Sequence, residues 1–275
     1  MKRYPLDYLI ISLKGMAMGA ADVVPGVSGG TIAFISGIYE ELIGTLNNIN
    51  FSLLKHLKTE GLKSTWNKAN GPFLLALLSG VFVSIISLAK GVEWFLEHHP
   101  ILLWSFFFGL VLASIVYVGK QIKTTAKDFK LFLAMAIGAV VAYLITTINP
   151  SETTDTNLFL FFAGALAICA MILPGVSGAF VLVIIGAYGP VLEALNNRDF
   201  KTILIIAAGA VLGLLSFSKL LKWLFEKYHR ITLAVITGFM IGSLNKIWPW
   251  KVALTFRTNS KRIEVPLNEE SISPF

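Results

Sequence analysis

The chain has 275 residues, of which 55% are hydrophobic and only 14% are charged, and its mean hydropathy is +0.73. Because a soluble domain carries roughly a quarter charged residues, this composition excludes an ordinary soluble enzyme and predicts an all-α polytopic membrane protein. The net charge of +7 does not indicate a nucleic-acid partner, since most basic residues lie in short loops beside apolar runs, where they orient a membrane protein.

A helix break interrupts the first apolar segment. The segment runs over residues 6–24, reaches PGVSGG at residues 25–30 and continues as a second arm over residues 31–46. Each arm has about 16–19 residues, or roughly 24–28 Å of helix, which is marginal for a full crossing. Proline and glycine disrupt helices, and irregular backbone at membrane depth persists only where protein or a wet cavity surrounds it. We therefore expect a re-entrant hairpin here.

About five full spans and a second broken hairpin follow in the predicted chain order. A polar, lysine-rich loop precedes three spans, and the second hairpin precedes two more spans and a polar tail. The loop covers residues 47–70, the spans cover 72–95, 101–118, 131–148, 202–221 and 231–247, the second hairpin covers 158–195, and the tail covers 252–275. We expect a single transport domain in which repeat 1 (residues 6–118) and repeat 2 (residues 158–247) flank a linking span (residues 131–148).

Basic loops predict the orientation of the chain in the membrane. With a cytoplasmic N-terminus, the lysine-rich loops at residues 47–70 and 119–130 and the turn at residues 219–230 all lie inside. The acidic loop at residues 151–156 then lies outside. Lys251 and the tail carry four basic residues and fall outside by count, but three loops outweigh them. We therefore predict a cytoplasmic N-terminus.

The pentapeptide PGVSG occurs twice, at residues 25–29 and 174–178, within a longer internal repeat. The sequences around it match at an offset of 149, and the following spans match at an offset of 129. The matched pairs include Gly37 with Gly186, Tyr39 with Tyr188, Gly80 with Gly209, and Lys90 with Lys219. Because three spans separate the hairpins, the second must open to the opposite side of the membrane. Inverted repeats are typical of secondary transporters that bind substrate near the midplane.

Each break offers groups that suit an anion such as phosphate or carboxylate. After the opening turn, consecutive backbone N–H groups and hydroxyls lie at the positive end of a half-helix, and glycine lets a ligand approach closely. The residues that we predict to bind substrate at the breaks are Ser28, Gly29, Gly30, Thr31, Ser177 and Gly178. The alternative is a close helix crossing that uses small residues for packing alone.

Charged residues within or beside the apolar runs are the other candidates, because such groups are costly in a membrane and mark function by default. Asp22 is a candidate for proton coupling. Glu40 and Glu41 are candidates for coupling or gating, although they could equally lie near water at the end of the hairpin. Lys90 and Lys219 lie toward opposite leaflets and are predicted to attract an anionic head group. Their alternative role is that of lysines that extend to the interface.

Three stretches, GMAMGAADVVPGVSGGTIAFISGIYEELI, ILPGVSGAF and SLNKIWPWK, resemble the PopT family of bacterial membrane proteins. The resemblance extends over about residues 6–251. It implies a flippase that returns undecaprenyl phosphate, the carrier lipid of cell-wall and peptidoglycan precursors, to the cytoplasmic leaflet of the bacterial plasma membrane. It also implies functional roles for Asp22, Ser28, Gly29, Gly30, Thr31, Glu40 and Ser177. In the second repeat, Met171 and Gly189 stand where the first has Asp22 and Glu40, so any acidic role is asymmetric.

Two other functions remain open from the sequence. Undecaprenyl-pyrophosphate phosphatases have a similar Pro-Gly-x-Ser break, but their motif continues with an arginine where this chain has Gly29 and Gly178. A secondary transporter of a small solute or ion could use the same broken-helix site. The chain has no nucleotide-binding glycine loop and a single cysteine, Cys169, so we expect no cofactor, no metal and no catalytic residue. Besides lipids, protons or another coupling ion are the expected partners.

Overall fold

The computed structural model describes residues 3–24, 26–122, 128–148, 156–258 and 264–273. These ranges hold helices and one two-stranded antiparallel sheet, which confirms an α-helical membrane fold. The helices are α1 (Pro5–Val23), α2 (Gly29–Ile35), α3 (Tyr39–Asn48), α4 (Phe51–Lys68), α5 (Gly71–His98), α6 (Pro100–Gln121), α7 (Phe129–Thr147), α8 (Asn157–Ile172), α9 (Gly178–Ile184), α10 (Tyr188–Asn196) and α11 (Phe200–Ser243), and the strands are β1 (Lys251–Thr258) and β2 (Glu264–Ser271). Pro25, residues 123–127 of the basic loop and residues 151–155 of the acidic loop lie outside the described residues.

Four helices among the described residues, α5, α6, α7 and α11, are long and apolar enough to cross a membrane. The bent pair α9–α10 raises the number to five if it counts as one span. Helix α11 has 44 residues, or about 66 Å, which is twice the thickness of a bilayer core. Its backbone leaves the helical conformation at Tyr228 (φ −131°, ψ 40°). The two spans predicted over residues 202–221 and 231–247 are the two segments of this broken helix.

The prediction of a polar loop over residues 47–70 is wrong. Residues Phe51–Lys68 form α4, in which Gly61 (φ +76°) departs from helical geometry. The helix begins where the Asn50 side chain accepts a hydrogen bond from the backbone N–H of Ser52 at 2.9 Å. Lysine, leucine and glutamate are good helix formers, and asparagine is a strong N-cap residue. The high lysine content that suggested a loop therefore belongs to a largely exposed surface helix.

The polar tail predicted over residues 252–275 contains a β-hairpin that the sequence did not indicate. Strands β1 and β2 pair in antiparallel register from Lys251–Ser271 to Thr258–Glu264. The hairpin is tied to the end of α11, because the indole N–H of Trp248 donates to the carbonyl of Ile272 at 3.0 Å.

Each hairpin contains a second turn that the sequence analysis did not predict. The arm expected over residues 31–46 is divided into α2 and α3, with Gly37 at φ +75° between them. Its repeat mate Gly186 has φ +76° between α9 and α10, whose axes differ by 111°. Left-handed backbone of this kind favours glycine, because other residues have a Cβ that clashes there. The paired glycines found in the repeat therefore mark paired turns.

Helices α1 and α5 pack in close contact and run in the same direction. A side chain on Gly15 would meet the backbone of Leu77, and one on Gly19 would lie 2.8 Å from the carbonyl oxygen of Val81. Residue numbers rise in the same direction along both helices, so α1 and α5 are parallel. Because parallel helices start on the same side of the membrane, the chain returns to its starting side between them. Helix α2 has only seven residues, or about 10 Å, and is too short to cross the membrane. The first hairpin is therefore re-entrant.

The second half of the chain repeats this crossing between α8 and α11. In the first half the backbone of Gly80 contacts that of Ser12, and in the second half Gly209 contacts Phe161 in the same way. These pairs are related by the offsets of 129 and 149 found in the sequence. Three spanning helices, α5 to α7, separate the two hairpins, so the hairpins open to opposite sides of the membrane.

The main buried core surrounds the first hairpin. It joins the hairpin to α5, α6 and the second segment of α11. Its largest fully buried side chains include Tyr39, Ile43, Phe73, Leu77, Ile236 and Met240. Since this core holds α2 from several sides, the first break is fixed in the interior of the protein.

Candidate anion site at the paired helix breaks

The two helix breaks contact each other directly. The Ser28 hydroxyl donates a hydrogen bond to the carbonyl of Met171 at 3.0 Å, and the Thr31 hydroxyl accepts one from the backbone N–H of Gly175 at 2.9 Å. Ser28 and Thr31 are each 1% exposed. The space is tight, since a Cβ on Gly30 would lie 2.6 Å from the carbonyl oxygen of Ile172. The structure thus joins the two PGVSG copies through residues that the sequence analysis singled out.

The first break satisfies its own backbone donors. The N–H of Gly29 donates to the Asp22 carboxylate at 2.7 Å, and the N–H of Gly30 donates to the Ser28 hydroxyl at 3.1 Å. The N–H of Thr31 donates to the Ser28 carbonyl at 2.9 Å. A carboxylate at the start of a helix is favoured by the helix dipole. Asp22 therefore holds the position at which we expected an anionic ligand, and a ligand would have to displace it.

The second break leaves its donors open. Met171 stands where the first repeat has Asp22, and the Ser177 hydroxyl caps no backbone N–H of α9. Within the described part of the chain, the N–H groups of Gly178, Ala179 and Phe180 have no acceptor. Met171 and Ala179 are exposed, whereas residues 26–33 of the first break are all buried. The donors that could hold an external anion in this conformation thus belong to the second break.

A lysine that the sequence analysis did not single out as a site residue touches both breaks. The Cγ atom of Lys246 lies 3.1 Å from the position that a Cβ on Gly26 would occupy. Its ammonium lies 4.6 Å from the ring centroid of Phe180 in α9. The sequence feature that could have identified Lys246 is its position at the end of a predicted span, within SLNKIWPWK at residues 243–251.

The structure does not bring Lys90 and Lys219 to the breaks. Both are exposed, on α5 and α11 respectively. Among the described residues, no hydrogen bond or ion pair joins either lysine to a break. Their proposed attraction of a head group at the two membrane surfaces stays a prediction.

The two glutamates lie at the end of the first hairpin, away from the break. Glu41 accepts hydrogen bonds from Arg3 at 2.5 and 2.6 Å and from the Asn70 side chain at 3.0 Å. It therefore ties α3 to the starts of α1 and α5. The carboxylate of Glu40 lies 3.9 Å from Nδ1 of His229, beside the break in α11. This placement suits an anchoring role for Glu41, and a gating role for Glu40 stays a prediction.

Two cavities lie elsewhere on the molecule. An apolar groove of about 320 Å³ lies between α7 and α11, and a pocket of about 230 Å³ lies between α3 and α11. The groove is lined by Ala139, Val140, Tyr143, Ile241, Gly242 and Asn245, and the pocket by Glu40, Ile43, Gly44, Lys222, Phe225 and Glu226. In the part of the chain that the structure describes, no group of three His, Cys, Asp or Glu side chains could hold a metal ion.

Comparison with known proteins finds similarity over most of the chain. Residues 18–265 match the VCA0040-like family, described as undecaprenyl phosphate translocase-like. The polyprenyl-phosphate transporter of Vibrio cholerae serotype O1 (strain ATCC 39315 / El Tor Inaba N16961) is 50% identical over 270 residues, which cover 98% of this chain and 87% of the relative. The polyprenyl-phosphate transporter of Staphylococcus aureus (strain NCTC 8325 / PS 47) is 33% identical over 256 residues, covering 86% of this chain and 85% of the relative. No solved structure matches the chain.

Proposed function

This chain belongs to the undecaprenyl phosphate translocase-like family, and on that premise we propose that it returns undecaprenyl phosphate from the outer to the cytoplasmic leaflet of the bacterial plasma membrane. Membership makes the chain a transporter rather than an enzyme. The observation that carries the proposal is the direct contact of two helix breaks that belong to hairpins opening to opposite sides of the membrane. A site between such hairpins can be exposed to each side in turn.

The phosphate head group binds at the paired breaks. It binds initially to the break of the second hairpin. A phosphate monoester has several strong acceptor oxygens, and backbone N–H groups at the start of a helix are suited to them. The open N–H groups of Gly178 and Ala179, together with the Ser177 hydroxyl, supply donors that no residue in the described ranges uses. Since Met171 and Ala179 are exposed, the lipid can approach from the flank with its prenyl chain left in the bilayer.

Asp22 couples transport to protons by competing with the phosphate. The Asp22 carboxylate holds the N–H of Gly29, and two anions cannot share this position without strong repulsion. A proton on Asp22 removes that repulsion and weakens the hold of Asp22 on the N–H of Gly29, which the phosphate can then accept. The head group can then pass from the second break to the first, and loss of the proton releases it.

A leaflet-exchange assay tests this function. The full-length protein is reconstituted into liposomes that contain undecaprenyl phosphate, and a water-soluble phosphatase is added outside. In liposomes without the protein, the added phosphatase releases phosphate only from lipid in the outer leaflet. With the protein present, we expect the inner-leaflet lipid to be consumed as well. If the inner pool stays protected in the presence of folded protein, the proposed function is wrong.

The same liposomes separate the alternatives and test the role of Asp22. Phosphate release without the added phosphatase would identify an enzyme, and uptake of a water-soluble solute instead of lipid exchange would identify a solute transporter. We expect Asp22→Asn to abolish the dependence of the exchange rate on pH. The matched control is Glu193→Gln, which neutralises an exposed carboxylate in α10 and should leave that dependence intact. Unchanged pH dependence in Asp22→Asn would refute the coupling role.

A further inference from the structure

We propose that Lys246 is the cation that recognises the phosphate head group, an inference that rests on the proposed function. The side chain extends from the turn after α11, where its backbone N–H donates to the carbonyl of Ser243 at 2.9 Å. Its stem passes over Gly26, where a residue with a Cβ would crowd Cγ at 3.1 Å, and Gly26 itself has φ +86°. The glycine of the first break thus leaves room for the lysine stem.

The ammonium of Lys246 reaches the second break. It lies 4.6 Å from the ring centroid of Phe180, the third residue of α9, in the geometry of a cation–π contact. Lys246 is partly buried, so its charge is screened less by water than that of a fully exposed lysine. One cation therefore touches both breaks, with its stem over Gly26 and its ammonium over Phe180.

A second lysine supports the turn that carries Lys246. The ammonium of Lys251 donates to the backbone carbonyl of Lys246 and lies 4.5 Å from the ring centroid of Trp104. Lys251 thereby holds the turn that carries Lys246. By contrast, Lys90 and Lys219 are exposed on spanning helices and are not joined to a break among the described residues.

The position of Lys246 also gives the site a direction. At the repeat offset of 129 its mate is Tyr117, so only one half of the inverted repeat carries this cation. With the predicted cytoplasmic N-terminus, α11 ends on the outer side of the membrane, and Lys246 faces the breaks from that side. A cation on the outer approach favours capture of the head group from the outer leaflet, which is the loading step of the proposed transport.

Binding of a short prenyl phosphate tests the role of Lys246. Farnesyl phosphate, farnesol and inorganic phosphate are titrated separately into the full-length protein in detergent. A hydrogen bond between a lysine and a phosphate changes affinity by about tenfold to a hundredfold. We therefore expect Lys246→Gln and Lys246→Met to weaken farnesyl phosphate binding by about this factor and to leave farnesol binding unchanged. Lys246→Met keeps the apolar stem over Gly26, so it separates lost charge from lost packing.

Two further variants complete the experiment. Lys246→Arg keeps the charge and should retain most of the affinity. Lys201→Gln removes an exposed lysine at the start of α11 and should bind farnesyl phosphate as the wild type does. Thermal unfolding of each variant establishes that it is folded.

The outcomes distinguish this inference from the proposed function. If folded Lys246→Gln and Lys246→Met bind farnesyl phosphate as tightly as the wild type, Lys246 is not the head-group cation, while leaflet exchange by the wild type would still stand. If inorganic phosphate binds as tightly as farnesyl phosphate, the site takes free phosphate and the assignment to a lipid head group is wrong. If the wild-type protein exchanges no lipid in liposomes, the proposed function itself fails.

Discussion

Replacing the serine of each PGVSG copy by alanine should give unequal effects, although the two copies have the same sequence. In the first copy, the Ser28 hydroxyl donates to the carbonyl of Met171 at 3.0 Å and accepts from the N–H of Gly30 at 3.1 Å. In the second copy, the Ser177 hydroxyl makes no hydrogen bond to any residue that the structure describes. Ser28→Ala therefore breaks two bonds between and within the breaks, and Ser177→Ala breaks none of them.

The expected magnitude follows from these bonds. Loss of an N-cap side chain costs about 1 kcal/mol, and leaving a buried polar partner unpaired costs about 1–3 kcal/mol. Because Ser28 is 1% exposed, water cannot replace the lost partner. We expect Ser28→Ala to lower the free energy of unfolding by about 2–4 kcal/mol and Ser177→Ala to lower it by less than about 1 kcal/mol. At about 2–4 °C per kcal/mol, Ser28→Ala should unfold about 5–15 °C below the wild type.

Thermal unfolding of the two variants in the same detergent measures this difference. The helical circular dichroism signal and the fraction of protein that remains monodisperse after heating are followed together with the wild type. Equal falls in the midpoint for Ser28→Ala and Ser177→Ala would refute the reasoning, because equal falls would mean that the two breaks are bonded alike. A larger fall for Ser177→Ala would show that the second break, rather than the first, is the closed one.

Three further predictions concern contacts made by the first hairpin, each measured as a change in the unfolding midpoint. Thr31→Val leaves the N–H of Gly175 without its acceptor and should cost about 1–3 kcal/mol, and no fall would contradict that bond. Gly80→Ala forces the α1–α5 crossing apart and should cost about 1–3 kcal/mol, whereas Gly91→Ala on the same helix meets open space and should raise stability by up to about 1 kcal/mol. Glu41→Gln weakens the ion pair at the end of the hairpin and should cost about 1 kcal/mol, so a larger loss than that of Gly80→Ala would contradict its modest anchoring role.

Much of the architecture could be predicted from local sequence features. Apolar runs of sufficient length gave the spans, because a membrane requires about 20 apolar residues per crossing. The two PGVSG copies and the two constant offsets predicted an internal repeat. The odd number of spans between the copies predicted that the repeat is inverted. Helix α4 was missed because lysine content describes exposure to water and not backbone conformation. The turns at Gly37 and Gly186 were missed because a glycine in an apolar run signals a turn only once the packing around it is known.

Residues that the motif indicated lie where the two breaks meet, namely Ser28, Gly30 and Thr31. Their binding of substrate stays a prediction. The role of Asp22 as a bonded partner of Gly29 was not foreseen, since it depends on how α1 ends above α2. The presence of charge in apolar sequence also pointed to Lys90 and Lys219. Their distance from the breaks depends on how the helices pack, which the sequence does not show.

The sequence by itself determined that this protein lies in the membrane, that it is built from two inverted halves, and that each half is broken at the same motif. These properties follow from composition and order along the chain. Only the tertiary structure decided that the two identical motifs differ in their bonding, with the first closed by Asp22 and the second open beside Lys246. The physical reason is that a hydrogen bond depends on which groups meet in space. Gly26 and Lys246, which meet here, lie more than two hundred residues apart along the chain.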